Sequence, residues 1–260
     1  MSTPRMPALF LGHGNPMNAI EDTPWSRGWA ALGKELPAPR AILCISAHWY
    51  VRGVYVTGSP APRLIYDFSG FPPELYRQQY PARGDSALAA RTVSLLAKAG
   101  IEAALRDDWG LDHGTWSVLM HVRPAADLPV LQLSIDRSVP TSRHLELGRA
   151  LAPLRDEGVL IVGSGNITHN LMHAMRWDGR EQPDWAARFD ADVTAALEQR
   201  DHSFLARALD SETGRRAHPS PDHYLPLLYA VGAAEGGTGA TFPMTGFDLG
   251  SLSMRSVWLE

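Results

Sequence analysis

The sequence predicts an α/β fold: a single domain over residues 1–260 with a central, largely parallel or mixed sheet flanked by helices. Three observations predict it. Short apolar runs alternate along the chain with amphipathic helical patterns. Most of those runs are continuous rather than alternating, as in strands covered on both faces. Apolar residues make up 45% of the 260, enough for a substantial core, and no repeat, low-complexity tract or Ser/Gly linker divides them.

Taken in order, residues 8–11 (ALFL), 41–46 (AILCIS), 54–57 (VYVT), 101–105 (IEAAL), 129–135 (PVLQLSI) and 158–163 (GVLIVG) read as strands. Residues 85–98 read as an amphipathic helix opened by Asp85 and stopped by Gly100. A second is expected over 141–155, capped by Thr141, with Glu146 or Arg155 in solvent. A third covers 183–200, and a fourth begins near 222 and tolerates Pro226 in its first turn. The Pro-rich stretch 59–83 reads as an inserted surface loop, and 240–258 as one or two late strands.

Charged residues are 20% of the chain, the net charge is -4, and no basic stripe appears. That argues against a nucleic-acid partner. The single cysteine, Cys44, lies in an apolar run, so no internal disulfide can form and a buried thiol is expected rather than a nucleophile. No signal-peptide core opens the chain, and no apolar stretch reaches the roughly 18 residues of a membrane span. The expectation is a soluble cytoplasmic protein with no membrane partner; oligomeric state stays open.

The ten histidines carry more information. His13 stands between Gly12 and Gly14 after the first apolar run, a place where glycine permits a tight turn or close approach. His48 follows AILCIS, His113 follows the IEAAL run and its loop, and His169 follows GVLIVG. In an open α/β sheet the crevice beyond the carboxyl ends of the strands is where ligands bind. Four imidazoles delivered there by separate strands can converge without being neighbours in sequence, and His223, opening a helix in PDHY, can be aimed at the same cleft. A lone histidine at a strand end is more often an ordinary hydrogen-bonded residue. His121, His144, His173 and His202, on helical or exposed patterns, are read that way, and His218 is intermediate. Convergence of four or five is hard to explain by accident.

Neutral imidazole suits Zn²⁺ and Fe²⁺. Asp112 and Asp222 adjoin these histidines and can orient them or complete a ligand set. Other catalytic templates are weaker: GSGN at 163–166 lacks nucleophile-elbow spacing, with no evident partner for Ser164 beyond His169. Neither a phosphate loop nor a dinucleotide glycine motif is present.

The segments LFLGHGNPMNAI, SAHWY, YDFSGFPPELYRQQYPARG, LDHGTWSVL, GSGNITHNL and HPSPDHYLPLLYA, in one order from about residue 8 to 230, resemble the 4,5-DOPA extradiol dioxygenase family. That family is the bacterial and plant branch of the class III, LigB-type extradiol ring-cleaving dioxygenases. The resemblance implies a metal site in which His13 and His48 are ligands, His223 takes the third position and His169 sits at or beside the metal. His113 matches a histidine that hydrogen-bonds substrate or dioxygen. The wider superfamily places a glutamate where this chain has His223, with Asp222 beside it. The implied reaction is ring opening of a catechol such as L-DOPA with O₂, beside the diol, to a muconic semialdehyde. His169 then acts as base and His113 as acid. Fe(II) is the cofactor expected for activity, with Zn(II) occupying the site on isolation. Trp49, Trp116 and Asp222 are candidate substrate-binding residues, and Phe71 and Tyr76 candidate walls. Two alternatives use the same residues: a zinc-dependent hydrolase or amidase, and a non-enzymatic binding module, against which the presence of all five histidines argues.

Overall fold

The computed structural model describes residues 5–179 and 182–260. Its centre is an eight-stranded mixed sheet formed by β1 (Ala8–Gly12), β2 (Ala41–Val51), β3 (Val54–Thr57), β4 (Ala103–Arg106), β5 (Val130–Asp136), β6 (Val159–Gly165), β7 (Ala240–Met244) and β10 (Ser256–Leu259). Two short strands, β8 (Phe247–Asp248) and β9 (Leu252–Ser253), pair with each other outside it. Spatial order is β4-β3-β5-β2-β6-β1-β10-β7. The middle is parallel: β2 pairs with β5 and β6, and β6 with β1. The outer strands bring the antiparallel pairs β3–β5, β1–β10 and β10–β7.

The continuous apolar runs explain this order. β1, β5 and β6 are buried at every residue, because helices cover both faces of the parallel core. Period-two alternation then sorts their side chains. Phe10, Leu43, Ile45 and Ile161 face one layer, built on helices Ser86–Lys98, Thr141–Leu151, Asp184–Gln199 and Leu225–Ala233. Leu9, Leu11, Ile42, Cys44, Leu160 and Val162 face the other, built on helices Pro24–Glu35 and His113–Val122.

Several boundaries differ from the sequence expectation. β2 does not stop at residue 46 but runs to Val51, and its register with β5 shifts between Ile45 and Tyr50. His48 therefore lies inside an irregular strand end rather than beyond it. Such an irregularity breaks the alternation and re-aims side chains. The helix expected to 155 ends at Leu151, and Pro153 starts a separate turn, since proline cannot supply the N–H that would continue the helix. Thr141 is its first residue, not its cap; Pro140 precedes it with no capping side chain. Arg155 is 1% exposed, not solvated: its Nε donates to the Met6 carbonyl at 2.6 Å and Nη1 to the Ala233 carbonyl at 3.0 Å. Those carbonyls replace the water it would otherwise need.

Two of the longer helices escaped the sequence reading for opposite reasons. Pro24–Glu35 contains Gly28 and Gly33, which lower helix propensity, yet Gly33 is where the Val122 carbonyl packs closest. His113–Val122 is buried on all sides through Leu119, so it has no polar face to mark its period. Among the described residues, no helix is long and apolar enough to cross a membrane.

Candidate metal centre

The carboxyl ends of β1, β2 and β6 lie side by side, and four histidines gather there. His13 leaves β1 with its N–H on the Gly165 carbonyl at the end of β6 (2.9 Å). The glycines around it serve the protein's own chain: a Cβ on Gly12 would lie 2.7 Å from the Met254 backbone, and Gly14 has φ +58° with Met254 Sδ where its Cβ would stand. His48 comes from the irregular end of β2. His113 is the first residue of its helix, whose N-cap is Asp112. His223 comes from the turn before helix Leu225–Ala233, and its carbonyl accepts the Asn166 N–H at 2.9 Å. Gly165 is bare because that same carbonyl fills the place of a Cβ.

The rings converge. His13 and His48 face each other Nε2 to Nε2 at 3.3 Å. One nitrogen from each of His13, His48 and His113 falls within 4.8 Å of the others. The His223 ring centroid is 5.1 Å from those of both His13 and His48, and His169 stacks on His223 at 3.4 Å with 3° between the planes.

Outward contacts fix which nitrogen faces in. His223 Nδ1 donates to Asp222 Oδ2 at 2.6 Å. His48 and His113 direct Nδ1 at the two oxygens of Asp67, at 3.1 and 2.8 Å. His13 Nδ1 meets Ser164 Oγ at 3.0 Å, and because that hydroxyl donates its proton to the Gly114 carbonyl, it accepts from the ring. Carboxylates accept only. Each of the four rings thus carries its proton on Nδ1 and leaves Nε2 as a lone pair. Two such lone pairs 3.3 Å apart repel unless a cation lies between them, and metal–nitrogen bonds of about 2.1 Å reach one ion from both. The donor set fits a divalent metal ion.

Electrostatics agree. Burial, with neighbouring imidazoles adding to it, holds His13 and His169 well below the usual histidine range and pushes His113 down to about 4. His223 is lowered by burial against the pull of Asp222. His48 alone is raised: burial opposes its charge, but Asp67, helped by Asp112 and Asp222, outweighs it. Burial would raise Asp67 and Asp222, yet hydrogen bonds from the histidines keep both well below the usual carboxylate range. Asp112, fully buried beneath, is pushed up to about 6 by burial and is held by Gln132 and by the Thr115 N–H it caps.

The family described as the catalytic LigB subunit of aromatic ring-opening dioxygenase matches residues 7–247. The chain belongs to this LigB family of aromatic ring-opening dioxygenases. A 4,5-DOPA dioxygenase extradiol of Escherichia coli K12 is 49% identical over 99% of this chain and 96% of that protein. One from Beta vulgaris is 39% identical over 95% and 94%. A crystal structure of an uncharacterized E. coli K12 protein superposes with a TM-score of 0.86 at 46% identity, covering 98% of this chain and all of that one. The protein is thus an extradiol-type ring-opening enzyme, with a histidine cluster suited to the metal such enzymes require.

Within this LigB-family site, the remaining sequence candidates fall as follows. Asp222 orients His223. Trp49 is buried and stacked on Trp109 at 5.4 Å, and Trp116 is fully enclosed with Nε1 donating to the Ile65 carbonyl at 3.0 Å. Phe71 and Tyr76 both pack on Phe68, whose edge-on ring lies 5.3 Å from His113. Cys44 is buried, and burial raises its thiol far above the usual range. Sequence reasoning missed Asp67 and Phe68, both in the YDFSGF segment of the stretch taken as a surface loop, and missed His13 as the partner of Ser164. The stretch 59–83 is instead anchored over the strand ends by the Leu64–Leu111 bridge and the Ile65 N–H on the Leu111 carbonyl (2.8 Å).

Proposed function

We propose that this dioxygenase opens a catechol such as L-DOPA beside its diol, using one O₂ and giving a muconic semialdehyde that retains both oxygen atoms. In this reading His13, His48 and His223 hold ferrous iron. The observation that carries it is the meeting of bare Nε2 atoms from separate strands, with the His13–His48 pair at 3.3 Å. The names of the E. coli and Beta vulgaris relatives support L-DOPA as the first substrate to try.

When bound, Fe²⁺ supplies the one-electron chemistry that lets a catechol react with triplet dioxygen, which redox-silent Zn²⁺ cannot do. The rest falls to the chain. Phe68, beside His113, forms a wall on which an aromatic ring can lie edge to face. Facing that wall, His113 suits contact with substrate better than it suits a third ligand position. His169 takes a proton from one catechol hydroxyl, and His113, whose Nε2 is bare at rest, takes the other there and returns it to oxygen as the ring opens; such transfers contribute about 10²–10⁴-fold. Asp222 and Ser164 keep His223 and His13 turned inward.

An all-imidazole donor set binds Zn²⁺ more tightly than Fe²⁺. The purified protein is therefore expected to carry zinc and be inactive. Anaerobic stripping and loading with Fe²⁺, followed by oxygen-electrode and absorbance measurements with L-DOPA, should show one O₂ consumed per catechol and a yellow product, with neither in the zinc form. No uptake with any of a panel of catechols after verified iron loading would overturn the reading.

A further inference from the structure

Asp67 touches two of the clustered histidines at once. Its Oδ1 accepts both the backbone N–H of His113 (3.0 Å) and His113 Nδ1 (2.8 Å), and its Oδ2 accepts His48 Nδ1 (3.1 Å). The two rings lie 4.0 Å apart by centroid. The segment leading into Asp67 is pinned by Leu111 N–H on the Arg63 carbonyl, by Trp116 Nε1 on the Ile65 carbonyl, and by the Tyr66 hydroxyl on the Gln78 carbonyl at 2.6 Å. A serine hydroxyl such as Ser164 can turn and either give or take a proton. A carboxylate can only accept, so Asp67 dictates the tautomer of both rings.

We propose that Asp67 is the positioning residue that sets His48 and His113 as one unit, forcing both protons onto Nδ1 and presenting both Nε2 atoms unprotonated. It rests on the roles given above to these two histidines, one holding metal and one moving a proton. The consequence is that the two roles share one support. An amide in place of the carboxylate offers one acceptor and one donor, so it can satisfy only one ring as it stands and drives the other to move its proton to Nε2.

The test needs neither catechol nor oxygen. In the full-length chain stripped of metal at pH 8, two-bond ¹H–¹⁵N correlation spectra, assigned with His48→Gln and His113→Gln, should show both wild-type rings protonated on Nδ1 alone. Asp67→Asn should switch one ring to Nε2–H, and Zn²⁺ or Co²⁺ titrated alone should bind about 10–100-fold more weakly, with a folded circular-dichroism spectrum. A proton on Nε2 of either wild-type ring overturns the proposal without any variant. So does an Asp67→Asn protein that keeps both tautomers, or that loses melting temperature while the tautomers stay. If the tautomers behave as stated and no catechol is opened, the assignment of Asp67 stands and the ring-opening reading fails.

Discussion

The molecule buries two kinds of histidine. His13, His113 and His223 are 2%, 5% and 5% exposed, and His144 and His218 are 1% and 6%. Burial does not separate them. His144 Nδ1 meets the Tyr229 hydroxyl at 3.1 Å, while His218 Nε2 donates to the Ile167 carbonyl at 2.7 Å and packs on Phe189 and Tyr224. Each of these spends its ring on a local contact inside one layer. His13, His48, His113 and His223 are tethered through Nδ1 to acceptors behind them, and His13 and His48 point their other nitrogen at each other. What distinguishes a ligand from a packed imidazole is the direction of the second nitrogen, and that depends on partners far away in sequence.

Removing members of each kind tests this contrast. The largest effect is expected from His48→Ala, which takes away half of the facing pair: bound metal, measured by elemental analysis, and turnover should both be lost. His113→Ala should keep near-stoichiometric metal and lose about 10²–10⁴-fold in kcat; if metal is lost instead and His223→Ala retains it, the two exchange roles. Ser164→Ala removes the hydroxyl accepting His13 Nδ1–H. We expect about 1–3 kcal/mol less stability by denaturant unfolding and roughly tenfold weaker metal binding.

The smallest effect on turnover belongs to the other class. Burial pushes His144 down to about 4 from an ordinary value of 6.5. Between those values the unfolded chain binds a proton that the folded chain refuses, so stability rises with pH across this window and is lost as pH falls from 6.5 toward 4. At about 1.4 kcal/mol per unit, this site contributes up to about 3 kcal/mol of the wild-type slope. His144→Gln should flatten the stability–pH curve by that amount and leave turnover at neutral pH unchanged. A loss of bound metal in this variant would erase the distinction between the two kinds.

The parallel core was legible because continuous apolar runs such as ALFL and GVLIVG have few other places to go. The histidines were legible because glycine, proline and polar neighbours set them apart from helix faces. Arg155 was misread because its sequence neighbours are polar, whereas the carbonyls of Met6 and Ala233 that receive it come from opposite ends of the chain. Asp67 was missed for a related reason: proline-rich context suggests a solvent loop, and only the tertiary bridge from Leu64 to Leu111 turns that loop inward. The glycines around His13 stand where a tight turn and a close approach were expected: Gly14 has φ +58°, and Met254 packs against both. What approaches is the protein's own Met254.

That last contact ties the first strand of the sheet to the last. β10 supplies the antiparallel neighbour of β1, Asn166 donates to the Ser253 carbonyl at 2.8 Å, and Met254 fills the hollow beside Gly12 and Gly14. The surroundings of His13 are thus completed by residues 253–259, more than two hundred positions away along the chain. Competence for the ion therefore depends on β10 having docked against β1, and a chain whose β10 is displaced offers no preformed trap for a stray cation.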